Sequence, residues 1–516
     1  MKLPRGIRHR LAAPAAVLAA IALSVGAVAA AAWAAPVRAA SAAAANVSPA
    51  ARVAGAPDLG PNVYVFTPSM PQSQIQATVN SIASQQISNQ FGTQRYALLF
   101  EPGTYGSAAN PLSFQVGYYT EVAGLGGSPG DVTIHGTIDV YNQCLGPGGT
   151  NCVALDNFWR SLSNLTINIA GQSGCHSGTD FWAVSQAAPM RRVVITGGNL
   201  SLMDYCSAGP QFASGGFIAD SSFSGGTVIN GSQQQFLVRN TRLDGWSNGV
   251  WNQVFAGDPG APPQSFSATS GLPGGTPPYT TLATSPVTQE EPFLQIDSAG
   301  QYSVFVPALR HDSSGPSWVG GSEAGTSIPI SRFFVATPST SVAAIDLALA
   351  RGKDLILTPG VYDLQAPIVV GRPNTVVLGL GFPTLVPQNG TPAMLVLGGP
   401  GVKISGMIFD AGPKTSPVLL QVGLRGAAGS GDVDNPSLVQ DVFFRIGGAT
   451  AGSATDSLVV NSSHAIIDDV WAWRADHGTG VGWTANTADT GLVVNGNDVT
   501  AYGLFVEHYQ KNDVIW

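Results

Sequence analysis

Hydrophobic positions along this chain come in short, β-branched runs, each closed by Gly, Asn, Asp or Ser. In the first half they include VTIHGTIDV (132–140), LTINI (165–169), VVIT (193–196), GFIADSSF (216–223) and FLVRNTRL (236–243). The closing residues favour turns. The runs start roughly 20–30 residues apart, the period of a coiled β solenoid. An antiparallel sandwich would show turn signals more often, and regular Asn-Gly hairpins are missing. The pattern predicts an all-β chain coiled as a right-handed parallel β-helix.

The second half permits a finer alignment. GMIFD (406–410), DVFFR (441–445), DVWAW (469–473) and GLFVE (503–507) lie over one another. Side chains alternate faces along a strand. Met407, Val442, Val470 and Leu504, with Phe409, Phe444, Ala472 and Val506, are therefore expected inside. Ile408, Phe443, Trp471 and Phe505 then point outward, followed by Asp410, Arg445, Trp473 and Glu507. Equivalent positions stack ~4.8 Å apart, which sets an aromatic column beside a column of Asp, Arg, Trp and Glu. Such a pair of columns serves a carbohydrate site, with flat faces for sugar rings and carboxylates at the bond to be broken. It serves equally to pack against the bridging segment or the first half, and the pattern leaves both uses open.

The chain also opens the same way twice. Residues 64–126 run YVFTPS, a polar helix-like stretch, ALLFEPGTY, Pro111-Leu112 and VAGLG; residues 333–381 run FFVATPS, AAIDLALARG, LILTPGVY, Pro367-Ile368 and VVLGLG. Two copies of one architecture follow, with a cleft between them. The expected division is a leader (1–40), an Ala/Ser-rich linker (41–60), a first β-helix (61–255), a bridging segment (256–331) and a second β-helix (332–516). Within the bridge, EEPFLQIDSAGQYSVFVPAL (290–309) reads as a hairpin. The chain stops at EHYQKNDVIW inside an apolar run, where a solenoid needs a cap, so further residues are expected beyond Trp516.

Composition narrows the class. Only 10% of the 516 residues are charged, with 63 Gly and 36 Pro, which disfavours long amphipathic helices. A net charge of −8 without a basic run argues against a nucleic-acid partner. Lys2, Arg5, Arg8 and Arg10 precede an apolar run from Leu11 to about Ala32 and a small-residue stretch. That reads as a secretory signal cleaved between Ala35 and Ser41, an uncleaved membrane anchor being the alternative. The expected product is an extracellular monomer, free of the membrane. Export permits disulfides, and sequence order pairs Cys144 with Cys152 and Cys175 with Cys206, two further connectivities remaining open. None of the four has zinc spacing, and neither a metal nor an organic cofactor is implied.

Candidate chemistry gathers near the C-terminal end. Glu507, in LFVEHYQ, sits beside His508 and Tyr509, where desolvation would raise a carboxyl pKa towards that of a proton donor. One coil earlier, Trp473-Arg474-Ala475-Asp476-His477-Gly478 offers Asp476 as a base or water-holder and His477 to orient it. An Arg474–Asp476 salt bridge is the plainer reading. Trp471, Trp473, Trp483, Tyr509 and Gln510 are candidates for sugar contact, as are Trp251 and Asn252 in GWSNGVWNQVFAG (245–257). In that patch Trp246 and Gln253 are further candidates, and packing is the alternative for its tryptophans.

The doubled start, the W-x-W-R-A-D-H-G run at 471–478 and Y-G-L-F-V-E-H-Y at 502–509 resemble glycoside hydrolase family 55, across most of residues 62–516. The resemblance implies tandem right-handed β-helices of the pectin-lyase kind, with an active site between them. It implies hydrolysis of β-1,3-glucan, exo-acting and inverting, with Glu507 as general acid. Inversion needs carboxyls ~6.5–9.5 Å apart, with a water between. Some members carry another Glu near the position of Val494-Asn495; here the stretch reads VVNGND, and Asp476, Asp489 and Asn495 all stand as candidate bases. Two other functions compete: a lyase on a uronate polymer, disfavoured by few basic residues in the second copy, and a solenoid that only binds glycans.

Overall fold

The computed structural model describes residues 57–516 apart from 210, 212, 232–235, 249–252, 267–277, 321–322 and 427–429. The leader, most of the linker, Trp251 and Asn252 lie outside the described residues.

Parallel ladders dominate. In the first half, strands Val63–Phe66, Tyr96–Phe100, Thr120–Gly124, Arg160–Ile169, Met190–Thr196, Gly216–Ala219, Phe236–Arg239, Gln253–Ala256 and Tyr279–Leu282 pair in succession. In the second half, Phe333–Ala336, Asp354–Leu357, Val376–Gly379, Lys403–Asp410, Leu438–Ile446, Ile466–Arg474 and Thr500–Glu507 do the same. A second face of that coil runs from Ile368–Val370 to Asn512–Ile515. Each half is a parallel β-helix around its own core.

The repeated Pro-Gly-x-Tyr has a mechanical cause. Gly103 and Gly360 take φ of +149° and +156°, and a Cβ there would lie 2.7 Å from Pro68 and 2.3 Å from Pro338. Only glycine fits that approach. Two residues on, the tyrosine hydroxyl ties the turn to the opening strand: Tyr105 donates to Phe66 O and Tyr362 to Ala336 O, at 2.7 and 2.8 Å. A short helix, Gln72–Gln86 or Val342–Ala350, precedes the second strand of each copy.

The predicted register of the second half is present. Ile408, Phe443, Trp471 and Phe505 pair in series, as do Asp410, Arg445, Trp473 and Glu507. Met407, Phe409, Val442, Phe444, Val470 and Ala472 are buried inside the coil, with Leu504 and Val506 packed against them.

The bridge holds the hairpin Phe293–Ile296 with Tyr302–Pro307, extended by Gly325–Pro329. Leu294, Tyr302 and Val304 join one cluster with Leu99 and Leu125 of the first half and Ile356 and Leu378 of the second. Fixed charges stitch the seam further. Arg191 donates to Asp441 Oδ2 at 2.9 Å and to Asp468 Oδ2 at 3.1 Å. Arg239 bonds Asp468 and Glu290. Removing one member of such a buried set would strand its partner's charge. The two β-helices are therefore held in one relative position, which is what a shared site requires. The disulfides are Cys144–Cys152 and Cys175–Cys206, the pairing that sequence order indicates.

Candidate active site

Glu507 ends the strand Thr500–Glu507 on the face turned towards the first half. Its Oε1 accepts from Gln186 Nε2 of the first half at 2.8 Å, and its Oε2 from Trp471 Nε1 at 3.3 Å. Burial pushes the Glu507 carboxyl above the usual range; the bonds from Trp471 and Gln186 and the nearby His508 oppose that push, and Asp476 adds to it.

Asp476 behaves in the opposite way. Its Oδ1 takes the His477 Nδ1–H at 2.7 Å, and that bond is the main reason its pKa falls below the ordinary aspartate value. The same bond raises His477. The other ring nitrogen of His477 meets the Gln90 side-chain amide of the first half at 2.7 Å. Asp156, also of the first half, is half-buried and raised by burial, and it acts electrostatically on His477. Two carboxyls whose environments drive them apart, Glu507 up and Asp476 down, are suited to acid and base roles respectively.

Several expectations need correction. Trp471 and Trp473 are 1% and 2% exposed and offer no free ring face to a sugar. Trp471 lies 4.6 Å from Phe158 and 5.6 Å from Trp159, and Trp473 is stacked on Phe91, all three partners belonging to the first half. The aromatic column is the packing surface between the β-helices; from it the Trp471 indole N–H reaches Glu507, and the Trp473 ring packs against His477. Tyr509 points into the coil, its hydroxyl 2.6 Å from Ser457 Oγ. Gln510 donates to Trp483 O at 2.6 Å and accepts from Ala488 N at 3.1 Å, so its amide braces a loop. Arg474 does not pair with Asp476; it donates to the carbonyls of Asn486 and Gly482, at 2.8 and 2.9 Å, under the Trp483 ring. Trp483 is 68% exposed and remains available for stacking. Asp489 pairs with Lys511 and Asn495 with Asn461, which commits both candidate bases to other contacts. In the first-half patch, Trp246 packs on Phe236 and Phe255, and Gln253 is buried against Asn230.

Among the described residues one set of metal-ligand atoms converges: His176, Asp204 and Cys206. The sulfur of Cys206 is bonded to Cys175 and offers no thiolate. Gln90, Asp156 and Gln186 went unrecognised in the sequence. The one available signal was Gln186 itself, an amide within the apolar stretch FWAVSQAAPM.

The second half, residues 333–516, matches the model of the LAM55 pectate lyase-like domain. An exo-beta-1,3-glucanase of Streptomyces sp. (strain SirexAA-E / ActE) is 47% identical over 497 residues, spanning 96% of this chain and 77% of that protein. This chain belongs to glycoside hydrolase family 55. The structure of sacteLam55A from Streptomyces sp. SirexAA-E superposes on this family-55 chain with a TM-score of 0.80 at 48% identity, covering 89% of this chain and 78% of that one. A glutamate-to-alanine variant of sacteLam55A in complex with glucose gives the same figures. The family-55 enzyme thus has a parallel β-helix fold of the pectate-lyase kind, and its class is glycoside hydrolase.

Proposed function

We propose that this glycoside hydrolase cleaves β-1,3-glucan from chain ends, with inversion, in the groove where the two β-helices meet. Glu507 protonates the departing glycosidic oxygen. Asp476, kept ionised by His477, takes a proton from the attacking water. One observation carries the reading: Glu507, made hard to ionise by burial and further by the charge of Asp476, is bonded by Gln186 of the first half and Trp471 of the second. An acid of raised pKa and a base of lowered pKa are both in their working forms across a shared acidic to neutral range. The 47% identical exo-beta-1,3-glucanase supports the substrate and the direction of attack. Trp483, exposed and backed by the Arg474 guanidinium, would stack on a glucosyl ring. The basic, apolar and small-residue order of the first 40 residues supports export. Proton NMR of laminarin digestion tests the mechanism. Inversion yields α-glucose first, followed by mutarotation, whereas initial β-glucose contradicts it. Mixed long oligosaccharides as early products contradict attack from the chain end.

A further inference from the structure

Asp476 is held by its neighbour His477, and that ring is backed by a residue of the other β-helix. His477 Nδ1 donates to its Oδ1 at 2.7 Å, and Nε2 of the same ring lies 2.7 Å from the Gln90 amide, 387 positions away in the chain. The imidazole is wedged between Phe91 and Trp473, at 5.6 and 5.1 Å between ring centres. Gln90 is itself fixed: its carbonyl accepts from the Tyr119 hydroxyl. That hydroxyl accepts from Arg445 Nη1 at 2.6 Å, and Arg445 is clamped to Asp410 at 2.8 Å. Ordinary exposed ion pairs have no such backing. Here the two side chains, 57% and 39% exposed, are the outer end of a chain of bonds that crosses the seam twice.

We propose that Gln90 and His477 are positioning residues for Asp476, so that the water-activating carboxylate is held in its working orientation only where both β-helices contribute. The proposal rests on the reading of Asp476 as base. A side-chain amide turned by half a revolution presents a carbonyl oxygen where it presented an N–H. Gln90 therefore supports the ring whether neutral or protonated, and the Nδ1–H stays on Asp476 in both states. The titratable groups facing the pair are Asp156 from the first half, and Glu507, at the end of the next strand of the second half, with its neighbour His508; Arg445 stands behind Phe91.

The test compares the full chain with its Gln90→Leu, Gln90→Glu and Asp476→Asn variants, reading kcat and KM on laminarin against pH and the NMR titration of the His477 ring. Gln90→Leu should lower kcat by about 10- to 100-fold, since a misplacement on the order of 1 Å costs that much, and should leave KM within about 3-fold. Its acid limb should move to higher pH, because the His477 ring loses its Gln90 support and its bond to Asp476 loosens, and His477 should titrate lower. Gln90→Glu, which can still accept from Nε2–H, should restore kcat to within about 3-fold of the parent. Equal losses in both Gln90 variants with an unmoved acid limb overturn the proposal. An unmoved His477 titration in Gln90→Leu overturns the relay alone, whereas full activity of Asp476→Asn overturns the base assignment beneath it.

Discussion

Replacing Glu121 by glutamine should stabilise the protein at pH 8 and leave it almost unchanged at pH 4. Glu121 lies on strand Thr120–Gly124 and reaches across the seam, where its Oε2 accepts from Gly381 N at 2.6 Å. It lines a cavity with Arg191, Glu291 and Asp441. Burial, aided by the charge on Asp441 and opposed by the Gly381 bond, pushes its carboxyl from 4.5 up to about 7. An acid harder to ionise folded than unfolded contributes fully below the unfolded pKa and loses that contribution as pH climbs through the folded one. The gap from 4.5 to about 7, at ~1.4 kcal/mol per pH unit, is about 3.5 kcal/mol. Glu121 retains some solvent access, so about 2 kcal/mol is the better expectation. Glutamine keeps the acceptor for Gly381 and mimics the protonated acid, so this loss vanishes. Urea unfolding followed by tryptophan fluorescence at the two pH values measures the difference. A change of equal size at both, or a destabilisation at pH 8, would refute the reasoning.

Trp471→Phe removes the only indole N–H that reaches Glu507 among the described contacts and with it a donor that favours the ionised acid. The alkaline limb of kcat/KM on laminarin should therefore move to higher pH, with a packing cost of about 1–2 kcal/mol at the seam. Tyr509→Phe loses the bond to Ser457 and should cost about 1 kcal/mol in urea unfolding. Its KM on laminarin should match the parent, whereas a large rise in KM would return Tyr509 to the substrate site.

The second half was legible in detail because each coil repeats the last. Once Met407, Val442, Val470 and Leu504 are set inside, every outward position from Ile408 to Glu507 follows. Alternation says which way a side chain points and nothing about what stands opposite. Trp471 and Trp473 were rightly placed outside their coil, yet the space beyond them is filled by Phe158, Trp159 and Phe91. Tyr509 shows where the rule ends: past Glu507 the strand stops, His508 takes φ of +70°, and the next ring turns inward. Gln90, Asp156 and Gln186 lie outside regular strands of the other copy, where no ladder relates one position to the next. Their nearness to Glu507 and Asp476 arises from docking of two β-helices across more than 300 residues of sequence, which local pattern does not encode.

Glu507→Gln gives the most direct check on the proposed role of Glu507. The amide can accept from Gln186 or from Trp471 but cannot donate a proton to a leaving oxygen. Turnover of laminarin should drop by about 10²–10⁴-fold, the usual worth of a general acid. A dinitrophenyl β-glucoside, whose leaving group needs little protonation, should lose less than about 10-fold. Equal losses on both substrates, or none on laminarin, would contradict Glu507 as the proton donor.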